Sequence, residues 1–210
     1  ISVCTADSRT TTTVEFDADH DDTYIIDGEV VDGRGAERID AVVDHARTLA
    51  DIDTPVRVES ENSFPTNIGF GSSASGFAAL AMALSEAAGL DLTRPDVSTI
   101  ARRGSASAAR AVTGAFSHLR TGANDEDCRS ERIETPLEDD LRVIGAMVPS
   151  YKETEAAHEE AAESHMFESR MAHIHGQIAN MRDALRSAEF DRAFELAEHD
   201  SLSLAATTMT

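Results

Sequence analysis

A glycine- and serine-rich stretch leads straight into an apolar run at residues 62–80, NSFPTNIGFGSSASGFAAL. It holds three glycines and four serines, and the run FAALAMAL that follows would seat a helix in the core. Glycines let successive backbone N–H groups turn toward one anion, and a helix N-terminus adds free donors and partial positive charge. The stretch therefore predicts a strand-to-helix loop that binds phosphate. The alternative is a plain turn whose serines cap the helix.

Two better-known phosphate motifs do not fit this stretch. No Gly-Lys-[Ser/Thr] follows the glycines, which excludes a Walker A loop, and the glycine spacing excludes a dinucleotide fingerprint. Serine hydroxyls in such a loop can bond phosphate oxygens or complete the coordination of a magnesium ion. The candidate phosphate ligands are Gly69, Gly71, Ser72, Ser73 and Ser75.

A second polar cluster lies in ARRGSASAARAVTGAF, residues 101–116. Ser105, Ser107 and Arg110 fall on the first turns of a predicted helix, and Ser107 and Arg110 share a face because they are three residues apart. An arginine can hold a carboxylate through two parallel hydrogen bonds. The cluster therefore indicates a carboxylate site, unless Arg110 pairs with one of the many acidic residues of the chain.

The hydrophobic periodicity predicts strands, then helices, then one strand and further helices. Strands are predicted at 11–16, in a hairpin TYIIDGEVV with an Asp27–Gly28 turn, at 56–60, in GAFSHL and RIETPL, and as a buried strand at 141–149. Helices are predicted at 36–50 (Ile39, Val42, Val43 and Ala46 on one face), about 73–88, 94–104, 105–112, and 153–210 with a break near 187–189. This order is typical of an α+β protein with two subdomains and a boundary near residue 140.

The charge balance is extreme, with 39 acidic residues against 18 basic ones and a net charge of −21. Seventeen of the basic residues are Arg and one, Lys152, is Lys. Because the acidic residues are spread along the whole chain, this composition favours adaptation to high salt over one cationic partner. A polyanion such as nucleic acid would be repelled. No apolar run is long enough to span a membrane, and two cysteines are too few for a disulfide framework, so we expect a cytoplasmic protein.

Together, the stretches NSFPTNIGFGSSASGFAAL and ARRGSASAARAVTGAF resemble the mevalonate diphosphate decarboxylases of the GHMP kinase superfamily. ISVCT…RTTTTVEF and AEHDSLSLAATTM match that family in order and spacing, so the resemblance covers essentially the whole chain. The acidic, lysine-poor composition looks like that of a haloarchaeal member, for which mevalonate 5-phosphate is the expected substrate. The resemblance implies a GHMP kinase-like α+β fold. Residues 1–140 would form a ribosomal protein S5 domain 2-like ATP-binding subdomain, and 141–210 would begin a helix-rich C-terminal subdomain.

The resemblance also implies a reaction and the residues that perform it. ATP would phosphorylate the tertiary 3-hydroxyl of the substrate, and loss of phosphate and CO2 would give isopentenyl phosphate, or the diphosphate from mevalonate 5-diphosphate. The Gly69–Ser75 loop would cradle the ATP phosphates, with Ser73 a candidate ligand of Mg2+. Ser105 would line the nucleotide and substrate side, Ser107 would orient the substrate, and Arg110 would hold its carboxylate.

Three positions depart from the family pattern. The N-terminal segment with its substrate-contacting Lys would lie before Ile1, which we attribute to truncation. Thr210 stands where the family has its catalytic Asp, and Asp200 is the nearest other carboxylate. Two interpretations of Asp200 stay open: it acts as the base, or it is a structural residue of the helix. Ser150 and Lys152 are candidate ligands of the terminal phosphate of the substrate. The serines expected after them are replaced by acidic residues and Ala, which favours a substrate with one phosphate fewer.

The leading hypothesis is therefore an ATP- and Mg2+-dependent decarboxylase of phosphorylated mevalonate in isoprenoid biosynthesis. Two alternatives stay open: a mevalonate 3-kinase that does not decarboxylate, and a catalytically inactive binding module of the same fold. The expected partner is a small-molecule substrate, with no nucleic acid and no membrane. The sequence leaves the oligomeric state open, a homodimer included.

Overall fold

The structure is a computed structural model that describes residues 1–5, 7–17, 19, 21–66, 71–146 and 160–209. The chain divides into two compact units, Ile1–Arg132 and Ile133–Thr210. The described strands are β1 Ser2–Val3, β2 Thr10–Phe16, β3 Thr23–Ile26, β4 Glu29–Val30, β5 Val56–Asn62, β6 Phe116–Leu119 and β7 Ser130–Arg132. The described helices are α1 Gly33–Ala50, α2 Ser72–Ala87, α3 Arg94–Gly104, α4 Ala106–Thr113, α5 Leu137–Asp140, α6 Phe167–Arg186 and α7 Phe190–Thr208. The predicted α+β class is confirmed. The subdomain roles assigned to 1–140 and 141–210 stay predictions.

A four-stranded sheet in the order β2-β5-β3-β4 forms the base of the first unit. β2 pairs antiparallel with β5, and β3 pairs antiparallel with β4, whereas β3 and β5 run parallel. A parallel pair needs a crossover connection, and α1 lies in the connection between β3 and β5. Along β5, Val56, Val58 and Ser60 are buried and alternate with more exposed residues, as the alternating pattern predicts.

The predicted hairpin and the predicted helix face are both confirmed in this unit. Asp27 and Gly28 both have positive φ, 52° and 84°, which is what a two-residue hairpin turn requires. The Asp27 carboxylate also accepts hydrogen bonds from the backbone and side chain of Asn62 and so ties the turn to the end of β5. On α1, the buried residues are the four expected ones: Ile39, Val42, Val43 and Ala46.

The core of the first unit lies between this sheet and helices α1 to α4. α2 contributes Ala78, Leu80, Ala81 and Leu84 to the core, and α3 contributes Val97, Ile100 and Ala101. α3 begins with a capping box of Thr93 and Asp96, with Pro in its first turn. α2, α3 and α4 begin and end within one residue of the predicted bounds, because apolar spacing and the Pro and Gly signals agree there. α1 ends where predicted but begins three residues earlier, at Gly33.

A second, smaller sheet has the strand order β1-β6-β7 and is antiparallel throughout. Its strand β1 is only two residues long, and Ser2 and Ser117 are Cα partners across β1 and β6. α4 packs on β6 and β7. The connection between β6 and β7 contains the acidic run Asp125, Glu126 and Asp127. This small sheet brings the start of the chain beside α4.

Two predicted strands are wrong. RIETPL is strand only at Arg132, because β7 ends there and Pro136 has no N–H to donate to a ladder. The hydroxyl of Thr135 donates to the carbonyl oxygen of Leu185 instead. Residues 141–146 of the predicted buried strand are mostly exposed and not in a strand, with Ile144 93% exposed. A strand is stable only when a neighbour pairs with it, and the described part of the second unit contains no strand.

Between 160 and 209, the described part of the second unit is mostly helical, as predicted. α6 and α7 pack on each other, and the predicted break between them is confirmed, with Ala188 in the left-handed region at φ 55°. Among the residues that the structure describes, no helix is long and apolar enough to cross a membrane.

Candidate active site

The larger of two neighbouring cavities in the first unit lies beside α4 and has a volume of about 790 Å³. We call it the arginine cavity, and its polar lining includes Ser2, Arg9, Thr10, Ser75, Ser107 and Arg110. Four elements meet at this cavity: the first residues of β1 and of β2, the first turn of α2 and one face of α4. A small molecule bound in this cavity would therefore face hydroxyl groups and positive charge.

The predicted face of α4 points into this cavity. Ser105 occupies the N-cap position of α4 in an extended conformation, and its hydroxyl oxygen lies 2.8 Å from that of Ser107. Ser107 and Arg110 both line the arginine cavity. The structure thus brings together two of the four residues that the sequence predicts for substrate binding, while Ser150 and Lys152 lie outside the described residues. Their roles, and that of Ser105, stay predictions.

Arg110 has no carboxylate partner among the described residues, although the chain carries 39 acidic residues. Its Nε donates a hydrogen bond to the hydroxyl of Ser2 at 3.0 Å. Burial lowers the pKa of the Arg110 guanidinium, because desolvation penalises the charged form. The interpretation that Arg110 merely neutralises a nearby acid is therefore not what the structure shows. A half-buried guanidinium without a counter-ion favours binding of an anion.

Cys4 lies on the same wall, with its sulfur 4.0 Å from the carbonyl oxygen of Ala111. Loss of water around the thiol raises the pKa of Cys4, and the charge of Arg110 opposes that rise. The thiol is thus less acidic than a free cysteine, although the residue itself is exposed.

A second cavity of about 220 Å³ lies on the other side of the α2 N-terminus. We call it the tyrosine cavity, and its lining includes Tyr24, Val31, Arg38, Ser72, Ser73 and Phe77. The hydroxyl of Tyr24 donates to the carboxylate of Asp40 at 2.6 Å. Burial and this hydrogen bond both raise the pKa of Tyr24, so that the phenol stays protonated. The apolar residues and aromatic rings in the lining suit a flat, mostly uncharged group.

The glycine-serine stretch lies between the two cavities. α2 begins at Ser72 after Gly71, whose φ of 73° favours glycine, and no side chain caps the helix. Gly71 and Ser75 line the arginine cavity, whereas Ser72, Ser73 and Gly76 line the tyrosine cavity. The alternative that these serines only cap the helix is therefore not observed. Among the described residues, the N–H groups of Ser72, Ser73 and Ala74 have no hydrogen-bond acceptor, so they can bind an anion that reaches both cavities.

Four of the predicted site residues lie outside the described residues: Gly69, Ser150, Lys152 and Thr210. Asp200 is described, on α7 of the second unit, where Arg170 Nη2 donates to its carboxylate at 2.8 Å. Arg170 also donates to the carbonyl oxygen of Asp200. This ion pair ties α6 to α7, and a catalytic role of Asp200 stays a prediction.

Sequence reasoning missed several residues of both cavities. Ser2, Cys4 and Arg9 were not singled out, because only the pairing of β1 with β6 brings the start of the chain to α4. Tyr24 and Arg38 belong to a strand and a helix with ordinary apolar patterns, and nothing in those patterns signals a cavity. Among the described residues, no group of three or more His, Cys, Asp or Glu side chains is placed to hold a metal ion.

The class of protein to which this fold belongs follows from comparison with known families. Residues 1–130 match the family model of the diphosphomevalonate decarboxylase-like N-terminal domain. The chain therefore belongs to the diphosphomevalonate decarboxylase family, and the family recognised in the sequence is confirmed.

Among individual relatives, the phosphomevalonate decarboxylase of Haloferax volcanii is 76% identical over the whole of this chain and 65% of its own length. The mevalonate diphosphate decarboxylase of Staphylococcus aureus superposes with a TM-score of 0.82 at 32% identity, over 94% of this chain and 62% of that one. A structure of MDDEF in complex with MVAPP, AMPPCP and magnesium superposes with a TM-score of 0.80 at 30% identity, with the same coverage of 94% and 62%. The chain thus spans less than two thirds of the length of these relatives. These matches confirm the GHMP-type fold.

Proposed function

We propose that the protein to which this chain belongs is an ATP-dependent decarboxylase of mevalonate 5-phosphate. One observation carries the proposal: in a chain of net charge −21, the Arg110 guanidinium has no acidic partner among the described residues, and it lines a cavity that adjoins the glycine-serine helix start. A carboxylate held there would lie beside a site suited to phosphate. The 76% identity with the Haloferax phosphomevalonate decarboxylase supports the monophosphate as substrate.

The reaction proceeds in two steps. The γ-phosphoryl group of ATP moves to the 3-hydroxyl oxygen of the substrate, whose proton leaves to a base, and ADP is released. The C3–O bond then breaks with departure of phosphate, while the electrons of the C1–C2 bond form the C2=C3 double bond and CO2 is lost. The products are isopentenyl phosphate, ADP, phosphate and CO2.

In this reaction the chain acts mainly by positioning. Arg110 holds the carboxylate so that the C1–C2 bond aligns with the breaking C3–O bond, and Ser107 orients the substrate near its 3-hydroxyl. The free N–H groups at the start of α2 stabilise the negative charge on the transferred phosphoryl group. The base is either Asp200 or a residue outside the described part of the chain.

ATP fits the two cavities if its base lies in the tyrosine cavity and its phosphates pass the α2 N-terminus toward the arginine cavity. The aromatic rings of Tyr24 and Phe77 and the guanidinium of Arg38 suit a planar base. Ser72 and Ser73 lie on the same wall and offer hydroxyl oxygens, the type of ligand that Mg2+ accepts beside phosphate. Mg2+ would neutralise charge on the ATP phosphates. The MDDEF complex contains AMPPCP, an ATP analogue, and magnesium, which supports this assignment.

The test is to supply the full-length protein with ATP, Mg2+ and either mevalonate 5-phosphate or its 5-diphosphate, and to measure ADP and CO2 separately. We expect both products in equal amounts with the monophosphate. ADP without CO2 would indicate a 3-kinase, and no ADP would indicate an inactive binding module.

The variant Arg110→Ala should lower kcat/KM by about 100-fold or more, because a charge-assisted hydrogen bond contributes roughly 1.5–3 kcal/mol and two are lost. Arg120→Ala is the matched control, since Arg120 is exposed, pairs with Glu131 and does not line the cavity. Equal activity of both variants would contradict the proposed role of Arg110.

A further inference from the structure

Two serines from neighbouring strands form a hydrogen-bond ring with Arg110. Ser2 of β1 and Ser117 of β6 are Cα partners, so their side chains leave the small sheet on the same face. The hydroxyl of Ser2 accepts from Arg110 Nε at 3.0 Å, and the hydroxyl of Ser117 donates to the carbonyl oxygen of Arg110 at 3.0 Å. The two hydroxyl oxygens lie 3.4 Å apart.

The number of protons fixes the direction of this ring. A serine hydroxyl has one proton to donate, and Ser117 gives its proton to the Arg110 carbonyl. In the contact between the two hydroxyls, Ser2 is therefore the donor and Ser117 the acceptor. The ring runs from Arg110 Nε to Ser2, then to Ser117, and back to the backbone of Arg110. Each hydroxyl in it accepts once and donates once, whereas the Arg110 carbonyl oxygen also accepts from the hydroxyl of Thr113 and the backbone N–H of Gly114.

The ring is partly shielded from water. Ser117 is completely buried behind the cavity wall, and Ser2 is half-buried at the edge of the cavity. Water therefore competes poorly for the Ser117 end of the ring. The short strand β1 is held at its other end by the backbone N–H of Cys4, which donates to Ala115 at 2.9 Å. Pairing of β1 with β6 is what places Ser2 within reach of Arg110.

The ring also decides which edge of the guanidinium is open. A guanidinium can bind a carboxylate through Nε and one Nη, or through both Nη atoms. Nε of Arg110 is occupied by Ser2, and neither Nη donates to a described residue. The edge formed by both Nη atoms is thus the one left for a ligand.

We propose that Ser2 and Ser117 are positioning residues, which fix the Arg110 guanidinium so that its two Nη atoms face the substrate carboxylate. This inference rests on the proposed function, because it assigns the orientation of the same carboxylate site. It predicts that the substrate carboxylate binds the edge of the guanidinium formed by its two Nη atoms. It also predicts that Ser2 contributes to substrate binding through Arg110.

The first test compares Ser2→Ala and Ser117→Ala with Ser130→Ala in the full-length protein. Ser130 is a matched control: it is completely buried in the same small sheet, but its hydroxyl lies 2.7 Å from that of Thr113 and does not contact Ser2. We expect Ser2→Ala to lower kcat/KM for mevalonate 5-phosphate about 10-fold, the effect of losing one hydrogen bond to a charged group. The KM for ATP should stay within twofold. Ser2→Thr keeps the hydroxyl and should restore most of the activity.

The second test combines Ser2→Ala with Arg110→Lys. Lysine has no Nε–H fork to be oriented, so Ser2→Ala should cost less than twofold in that background. Where Arg110→Lys is too slow to assay, calorimetric dissociation constants of the phosphorylated acid replace kcat/KM.

Three outcomes would overturn the inference: the same 10-fold loss in both backgrounds, the same loss in Ser130→Ala, or no loss in either Ser2→Ala or Ser117→Ala. Wild-type protein that forms no ADP would instead overturn the proposed function. The two failures are therefore distinguishable.

Discussion

The guanidinium of Arg38 lies over the ring of Phe77, with its Cζ 4.7 Å from the ring centroid. The same guanidinium donates from Nε and Nη2 to the carbonyl oxygen of Gly104, at 3.1 and 2.7 Å. Arg38 thereby joins α1, α2 and the end of α3 at the wall of the tyrosine cavity. The ring of Phe77 packs directly against Gly104, where a Cβ atom would overlap it.

Gly104→Ala should therefore destabilise the protein and widen or distort the tyrosine cavity. The added Cβ would collide with Phe77, and overpacking of this kind costs about 1–3 kcal/mol. The free energy of unfolding in urea measures the effect, and ATP affinity should fall with it. Gly176→Ala is the control, because nothing lies within 4 Å of the added Cβ. Removing a glycine from a helix there should stabilise by about 0.5–1 kcal/mol. Equal stability of Gly104→Ala and wild type would contradict the packing argument.

Asp22 should make the fold sensitive to acid. Its carboxylate accepts from Arg47 Nη1 and Nη2 at 2.9 and 2.6 Å and from the backbone N–H of Val56 at 2.7 Å. The hydrogen bonds from Arg47 are the main reason that the pKa of Asp22 is lowered from 3.8. The carboxylate therefore stabilises the folded state above its unfolded pKa, and this contribution is lost as the pH falls through the folded pKa.

Asp22→Asn should accordingly lower the free energy of unfolding by about 1 kcal/mol at pH 7, since the pair is partly exposed. The difference from wild type should begin to shrink as the pH falls below 3.8 and should vanish once it has passed through the lower pKa of the folded state. Urea midpoints between pH 7 and 3 measure this. Asp44→Asn is the control, because Asp44 lies 3.6 Å from the same arginine but is 71% exposed. A difference that persists unchanged into acid would argue against the carboxylate as the cause.

Cys4 offers a direct probe of the arginine cavity. Thiol reagents attack the thiolate, and the raised pKa of Cys4 should make its alkylation slow near neutral pH and faster at alkaline pH. Mevalonate 5-phosphate should slow the alkylation of Cys4, because both would occupy the cavity. Mass spectrometry of the same sample gives Cys128, outside the cavity, as an internal control. Protection of both cysteines, or of neither, would count against substrate binding at Arg110.

Salt should stabilise the protein through its charge. At a net charge of −21, mutual repulsion of carboxylates opposes the compact state, and about 1 M salt shortens the screening length to ~3 Å. We expect the Tm in molar KCl to exceed that in dilute buffer by at least about 4 °C, equivalent to roughly 1 kcal/mol for a chain of this size. A control in sucrose at equal osmolality separates stabilisation by charge screening from the general stabilisation by solutes that are excluded from the protein surface. No response to KCl would refute the high-salt interpretation.

The sequence patterns were sufficient to predict those features that depend only on neighbouring residues in the chain. The buried face of α1 follows from the spacing of Ile39, Val42, Val43 and Ala46, and the Asp27–Gly28 turn follows from its two residues. The strand predicted at 141–149 is wrong over 141–146, since an apolar run cannot reveal whether a neighbour pairs with it. The presence of Ser107 and Arg110 in one cavity was predictable from their spacing on one helix.

Contacts between distant parts of the chain were not predictable in this way. Ser2 reaches Arg110 only because β1 pairs with β6, 115 residues away in the Ser2–Ser117 contact. The end of the helix predicted at 94–104 falls at Gly104, as observed, whereas the packing of Gly104 against Phe77 depends on how α2 and α3 meet. Such contacts depend on the tertiary arrangement and leave no periodic signal.

The first turn of α2 separates the arginine cavity from the tyrosine cavity, and neighbouring residues of this turn line opposite cavities. Substitutions at Ser72, Ser73 or Gly76 change the wall of one compartment, and substitutions at Gly71 or Ser75 change the wall of the other. With ATP and the acid bound as proposed above, selectivity for the nucleotide and selectivity for the acid would therefore diverge separately during evolution.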